Sequence, residues 1–230
     1  MTFTVVLPVH NEETMLRKTL PSIKAIKPSE VVCVFDRCSD GSQRLCKAYL
    51  GEVMTPLIVR KKLDGNHLAS LYLMGISQAN HEIVLLTQAD VTLDPRIRHL
   101  IHEARNHVCS FRNLPYLGWN TLVTFTLSLM PKFKFSGVLA FPKRWTPLLI
   151  DAENDLEWDT QIARKVIELD LPYKYFKTAC WNLRPYVRSR LWVIGETRRK
   201  LGRRPLGTLL YSVVRLQPEV FTAYLRARGR

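Results

Sequence analysis

The first 90 residues repeat one pattern: a short run rich in β-branched residues, a polar turn, then a stretch with apolar residues at helical spacing. Thr2 to Leu7 reads as a strand stopped by Pro8, and Glu12 to Ile26 as a helix. Glu30 to Phe35 is a second strand, Asp36 to Gly41 a turn, and Ser42 to Leu50 a helix that Ser42 helps to start. Leu57 to Val59 is a short third strand, His67 to Ala79 a helix, and Glu82 to Thr87 a fourth strand that ends in Gln88-Ala89-Asp90. Strands alternating with helices predict an α/β fold with a doubly wound, mostly parallel sheet covered by helices on its faces. Right-handed crossovers put the loops that follow such strands at one edge of the sheet. The polar clusters His10-Asn11-Glu12, Asp36 to Ser42 and Gln88 to Asp90 are therefore expected to converge.

Beyond Pro95 the pattern changes. A helix is expected to about His107, then an aromatic, Pro-rich stretch from Phe111 to Trp145 that contains a strand over Phe135 to Phe141. The densest acidic run, Asp151 to Asp159, precedes a helix from Thr160 to about Leu169 and a last strand from Tyr173 to Thr178. At 230 residues and 47% hydrophobic content the chain can bury a large core, which excludes a disordered or collagen-like polymer. Its formal charge of +14 favours an anionic partner: nucleic acid, a lipid surface or a phosphorylated substrate. Residues 184–230 hold twelve Arg or Lys against two Glu and so carry +10 of that excess.

Five cysteines without paired CxxC spacing read as reduced thiols rather than a zinc site. The N-terminus lacks the basic region and apolar stretch of a secretory signal, and the longest apolar segment, Leu122 to Met130, is too short to span a bilayer. These features suggest a cytoplasmic protein that touches a membrane without crossing it.

Three segments carry the chemistry: VVLPVHNEE, VVCVFDRCSDGS and IVLLTQADVTLDP, with ENDLEWDTQIARK further on. In order and spacing they resemble the PxxNE, DDxSxDGT, DxD and ED motifs of the inverting family-two glycosyltransferases of GT-A fold, over about residues 2–180. The resemblance implies transfer of a sugar from a nucleoside-diphosphate sugar to a hydroxyl acceptor. It implies that Pro8, Val9 and Glu12 border the nucleobase and that Asp36 bonds the base or ribose. Glu12 is also an ordinary acid for a helix's first turn, and Asp36 and Asp40 are ordinary turn residues.

The leaving diphosphate gains charge as the glycosidic bond breaks, which calls for a divalent ion, Mg or Mn, or for cationic side chains. Asp90 matches the last acid of DxD and is the candidate metal ligand. Gln88 stands at the first, where an amide oxygen binds a hard cation more weakly than a carboxylate does. Lys61, Lys62 and Asn66, ahead of the third helix, are candidates for the diphosphate clamp, although a Lys pair in a loop also fits a solvated face.

Inversion needs a base that takes the acceptor's proton. Asp159 and Glu157 are the candidates, in two registers of the acidic motif, ahead of Glu153 and Asp155; the same run also suits a helix N-terminus. Gly137 matches a glycine where substrate approaches the backbone. Trp119, Trp145 and Trp158 suit either sugar stacking or core packing. His10, His67 and His81 lack metal spacing, and no catalytic histidine is expected.

The expected organisation is a transferase domain over residues 1–183, with a nucleotide half at 1–95 and an acceptor half at 96–183, then a basic amphipathic extension over 184–230. Helical segments that mix Arg with apolar residues suit an anionic membrane face and a lipid-linked or glycan acceptor. With no base-recognition motif, nucleic acid is not the expected partner. Two rival readings are a nucleotidyltransferase, against which the absence of a Gly-rich basic N-terminal loop counts, and a non-catalytic membrane- or RNA-bound protein on a degenerate transferase scaffold, motivated by Gln88.

Overall fold

The computed structural model describes residues 1–114, 137–154 and 156–184, the single positions 196, 198, 199, 205, 208 and 209, and residues 218–226. The chain divides into two compact units, Met1–Leu114 with Phe133–Leu183, and Pro115–Lys132 with Arg184–Arg230.

The first unit is built on a sheet of eight strands in the order β3-β2-β1-β4-β7-β6-β8-β5. Strands β1 (Thr4–Val9), β2 (Glu30–Asp36), β3 (Met54–Val59) and β4 (Ile83–Leu86) are parallel neighbours. Helices α1 (Glu13–Ala25), α2 (Ser42–Leu50) and α3 (His67–Gln78) connect them. The alternating pattern has a direct physical result. Val5, Leu7, Val31, Cys33, Phe35 and Leu85 bury on one face with Leu16, Leu20 and Ile23 of α1, and Val6, Val32, Val34, Val84 and Leu86 on the other with Tyr72 and Ile76 of α3. Strands buried on both faces read as unbroken apolar runs. The expected α/β, mostly parallel sheet flanked by helices is the observed architecture.

Several elements depart from the sequence reading. β3 begins at Met54 rather than Leu57, because it is an edge strand in which the missing N–H of Pro56 breaks no ladder. The helix expected from Pro95 to His107 is only α4 (Ile97–Leu100) followed by a 3-10 turn (Ile101–Arg105). Asp94 fixes its start, accepting from the Arg96 amide at 2.9 Å and from the Ala179 amide at 2.6 Å. The guanidinium of Arg96 holds the Asp94 carboxyl down at about 2. Two strands were not expected: β5 (Val91–Thr92) and β6 (Val108–Leu114).

β7 (Leu139–Pro142) inserts antiparallel between β4 and β6, α5 (Thr146–Leu149) and α6 (Trp158–Glu168) follow, and β8 (Tyr173–Asn182) pairs parallel with β6 and antiparallel with β5. In the second unit α7 (Pro218–Arg226) buries Val220, Ala223 and Tyr224, and the Arg199 guanidinium lies 5.2 Å from the Tyr224 ring. Among the described residues no helix is long and apolar enough to cross a membrane. All five cysteines are free thiols.

At the lower end of β2, Glu30 is a structural acid. Its two oxygens accept from Thr4 Oγ1 (2.7 Å), the Asn80 amide (2.8 Å), Thr55 Oγ1 (3.0 Å) and Asn80 Nδ2 (2.7 Å). Burial works to raise the carboxyl, and these four donors outweigh it and hold it below its ordinary value. Glu30→Gln turns an amide NH2 toward donors and is expected to cost about 2–4 kcal/mol in urea unfolding at pH 7. A depressed carboxyl contributes stability above its unfolded value of 4.5 and loses it as pH falls through the lower folded value. The gap between wild type and Glu30→Gln should therefore narrow on acidification below that point; a constant gap would contradict this account.

Candidate active site

The C-terminal ends of β1, β2 and β4 lie side by side, so the loops that follow them share one edge. Residues 10–13 and 36–42 are sewn together there. The Glu12 amide donates to Ser42 Oγ (2.8 Å), the Glu13 amide to Asp40 Oδ2 (3.0 Å), the Gly41 amide to Glu13 Oε2 (3.0 Å) and the Ser39 amide to Asn11 Oδ1 (2.8 Å). Side chains of each loop thus satisfy amides that open the other loop's helix. Asn11 and Arg37 take left-handed backbone at φ 52° and 47° to make these turns. Asp40 serves this stitching. Val9 is buried, while Pro8 and Glu12 are half-buried beside the turn.

Asp36, the last residue of β2, is 3% exposed. Arg37 grips it in a fork, Nε to Oδ1 and Nη2 to Oδ2, both at 2.8 Å, and His67 Nε2 lies 2.9 Å from Oδ2. The Arg37 bonds, helped by His67, overcome burial and pull the Asp36 carboxyl down to about 2. His10 Nδ1 donates to the Asp36 carbonyl at 2.6 Å. The polar clusters of the sequence already carry His10 and Arg37 to this edge; sequence reasoning missed His67 because it searched histidines only for metal spacing, and the available signal was a histidine opening the helix on the same edge.

After β4, Thr19 Oγ1 of α1 holds the Ala89 carbonyl at 3.0 Å, and Asp90, 7% exposed, accepts the Leu183 amide on its own carbonyl at 2.7 Å. Gln88 is half-exposed and lies against Gly137, where an added Cβ would stand 3.9 Å from its amide. The backbone at Gly137 is therefore open on the side of the DxD-like turn.

The acidic loop reaches the same edge through the start of α3. Asn66, the N-cap, accepts the Ala69 amide at 3.2 Å, and its Nδ2 donates to the carbonyls of Asn154 (3.1 Å) and Leu156 (2.6 Å). Its own amide donates to the Ala152 carbonyl at 2.7 Å. Both amide hydrogens of Asn66 are thus committed to carbonyls of the acidic loop. Lys61 and Lys62 are exposed in the preceding turn. Glu157 is the exposed N-cap of α6, and Asp159 is half-buried in the first turn. Between them Trp158 is 1% exposed, with its ring 4.4 Å from that of Tyr72, whose hydroxyl donates to the Thr87 carbonyl at 2.8 Å. Trp158 is core packing, not a stacking platform; Trp145 packs partly buried against the same core. Trp119 and Asp155 lie outside the described residues.

Asp36 is thus bonded to His67, whose neighbour Asn66 holds the backbone that leads into Glu157, while Pro8 and Val9 end the adjoining strand and Glu12 caps the helix after it. Asp90 lies in the turn between β4 and β5. Among the described residues no group of three or more His, Cys, Asp and Glu is placed to hold a metal. One carboxylate nevertheless suits a hard cation that brings phosphate oxygens as its other ligands, so the donor set at Asp90 fits Mg or Mn arriving with a diphosphate.

Solved structures of similar fold include S. aureus TarS 1-349, with TM-score 0.64 and 14% identity over 99% of this chain and 71% of that one. TarS 1-349 in complex with UDP-GlcNAc has TM-score 0.60 and 16% identity over 85% and 65%. Glucosyl-3-phosphoglycerate synthase from Mycobacterium tuberculosis, in complex with Mn2+, UDP and glucosyl-3-phosphoglycerate, has TM-score 0.60 and 16% identity over 88% and 81%. The chain spans 40% of a longer TarS structure. No curated protein sequence matches it. Residues 4–141 match the model of Glycosyl transferase family 2, a span that takes in the first three motifs and stops short of the acidic loop. With more than half its length matched, and with its fold and loop placement in agreement, the chain belongs to glycosyl transferase family 2.

Proposed function

We propose that this protein moves one sugar from a nucleoside-diphosphate sugar to a hydroxyl of a glycan or lipid-linked acceptor, with inversion at the anomeric carbon. The observation that carries the reading is the pair of buried carboxylates, Asp36 at the end of β2 and Asp90 in the turn that follows β4, on the edge where these parallel strands end. This edge is where α/β sheets bind ligands.

In this reading Asp36 accepts hydrogen bonds from the base or ribose, with Pro8, Val9 and Glu12 beside it. Asp90 ligates Mg or Mn, which would neutralise charge on the leaving diphosphate, and Lys62 adds a cation at the rim. Asp159 or Glu157 takes the proton of the acceptor hydroxyl. The named complexes of the similar structures, with UDP, UDP-GlcNAc and Mn2+, support a nucleotide donor and a cation. The transferase domain is residues 1–183, with the nucleotide side in 1–95 and the acceptor side in 96–183. The basic segment 184–230 rests on the anionic cytoplasmic face of a membrane.

Calorimetric titration of UDP, GDP and their sugar derivatives, with and without Mn, tests this. Saturable binding of one nucleoside diphosphate, strengthened by Mn and weakened by Asp90→Asn, is expected, with release of that diphosphate on turnover. Release of pyrophosphate would instead identify a nucleotidyltransferase. Absence of nucleotide affinity, with tight binding to anionic vesicles or RNA, would leave a non-catalytic scaffold.

A further inference from the structure

We infer that His67 is a positioning residue for nucleotide binding that holds the Asp36 carboxylate in place. The inference rests on the reading of Asp36 as a nucleotide ligand.

Two bonds fix the chemical form of the ring. The Leu63 amide donates to His67 Nδ1 at 3.0 Å. A backbone N–H can only donate, so Nδ1 offers its lone pair and the ring proton sits on Nε2. Nε2 lies 2.9 Å from Asp36 Oδ2 and therefore donates to it. Arg37 Nη2, 3.4 Å from the same nitrogen, meets donor with donor, and its true partner is Asp36. The imidazole is thus a neutral bridge with both nitrogens committed, one to a backbone amide of the lysine turn and one to the carboxylate.

The two groups on Asp36 Oδ2 differ in how firmly they are held. The Arg37 side chain is 37% exposed and, among the described residues, held by the carboxylate it grips, whereas that of His67 is 18% exposed and pinned at both ring nitrogens. An N–H or O–H of a nucleoside that seeks Asp36 competes first with Arg37, which can swing to solvent. His67 remains and keeps the carboxylate oriented as the partner changes. A carboxylate held this way loses less freedom on binding.

Two substitutions separate the two bonds. In His67→Asn the amide oxygen falls near the Nδ1 position and keeps the Leu63 bond but cannot reach Asp36. In His67→Gln the longer amide reaches the Nε2 position and restores the donor to Asp36 while losing the Leu63 acceptor. UDP with Mn, titrated into the full chain, is the probe, with Asp36→Asn as reference and thermal melting as the check on folding. Asp36→Asn and His67→Asn should each raise the UDP Kd by about tenfold or more, the size of one lost charge-assisted bond, while His67→Gln should stay within about threefold of wild type. Equal losses in His67→Asn and His67→Gln would mean that the ring serves folding alone and would overturn the inference. An unchanged Kd in Asp36→Asn would overturn the nucleotide role of Asp36, and with it this role of His67.

Discussion

Asp159→Asn is expected to lower kcat for sugar transfer by about 10²–10⁴-fold, the usual weight of a general base, with UDP affinity and melting temperature close to wild type. Two acids compete for this role, and their places on α6 distinguish them. Trp158, buried against Tyr72, fixes the rotation of the first turn, so its two neighbours project to either side of the line along which the helix meets the core. Glu157 is an exposed N-cap that makes no side-chain capping bond, whereas Asp159 is half-buried, short and confined to the first turn. A base must be held within hydrogen-bond reach of the proton it removes, and a short, partly enclosed carboxylate keeps one direction better than a long exposed one. Glu157→Gln is therefore expected to cost less, about tenfold or below. Initial rates of nucleoside-diphosphate release with acceptor present decide the matter; if neither variant slows release while both bind UDP, the base lies elsewhere on the acceptor side.

Much of the first half was legible because its strands are buried on both faces. Val31 to Phe35 has no polar side to confuse its period, and the acid after it, Asp36, stands where a parallel sheet collects its loops. The second half was less so. Val108 to Leu114 flanks an aromatic stretch, and nothing local signals that it pairs with Leu139 and Ala140 on one side and with Tyr173 to Trp181 on the other. The antiparallel insertion of β7 next to β4 is a matter of partner choice, which hydrophobic period does not encode.

The candidate site shows the same division. Glu12, Asp36 and Asp90 stand out as candidates in the sequence because motif order and strand ends agree. Asn66 shows the limit, since a polar residue before a helix looks alike whether it faces a ligand or caps the helix while bonding carbonyls 88 and 90 positions away. His67 escaped for a related reason. Its bond to Asp36 spans 31 positions, and only coordinates reveal that its other nitrogen accepts an amide. Side chains that join loops across the chain are written in geometry, and that is where the acidic loop is tied to the nucleotide edge.

That tie makes Gly65→Ala a damaging substitution. Gly65 has φ +67°, which costs an L-residue roughly 1–2 kcal/mol. Its added Cβ would also stand 2.5 Å from the Ala152 carbonyl oxygen, a backbone atom that cannot rotate away. The same carbonyl accepts the Asn66 amide at 2.7 Å, so relieving the clash pulls apart the bond that anchors the loop, and with it the Asn66 bonds to Asn154 and Leu156. Strain and lost bonds together predict about 2–4 kcal/mol of destabilisation in chemical unfolding. The effect on catalysis should exceed the loss of folded protein. Glu157 and Asp159 follow the displaced segment directly, and a shift near 1 Å in a reacting group costs up to about 10²-fold. Asn66→Ala cuts the side-chain bonds without the backbone strain, so it should slow turnover per folded molecule in the same direction with less destabilisation. If Gly65→Ala lowers stability but each folded molecule turns over at the wild-type rate, the acidic loop keeps its place by other contacts, and the start of α3 does not position the base.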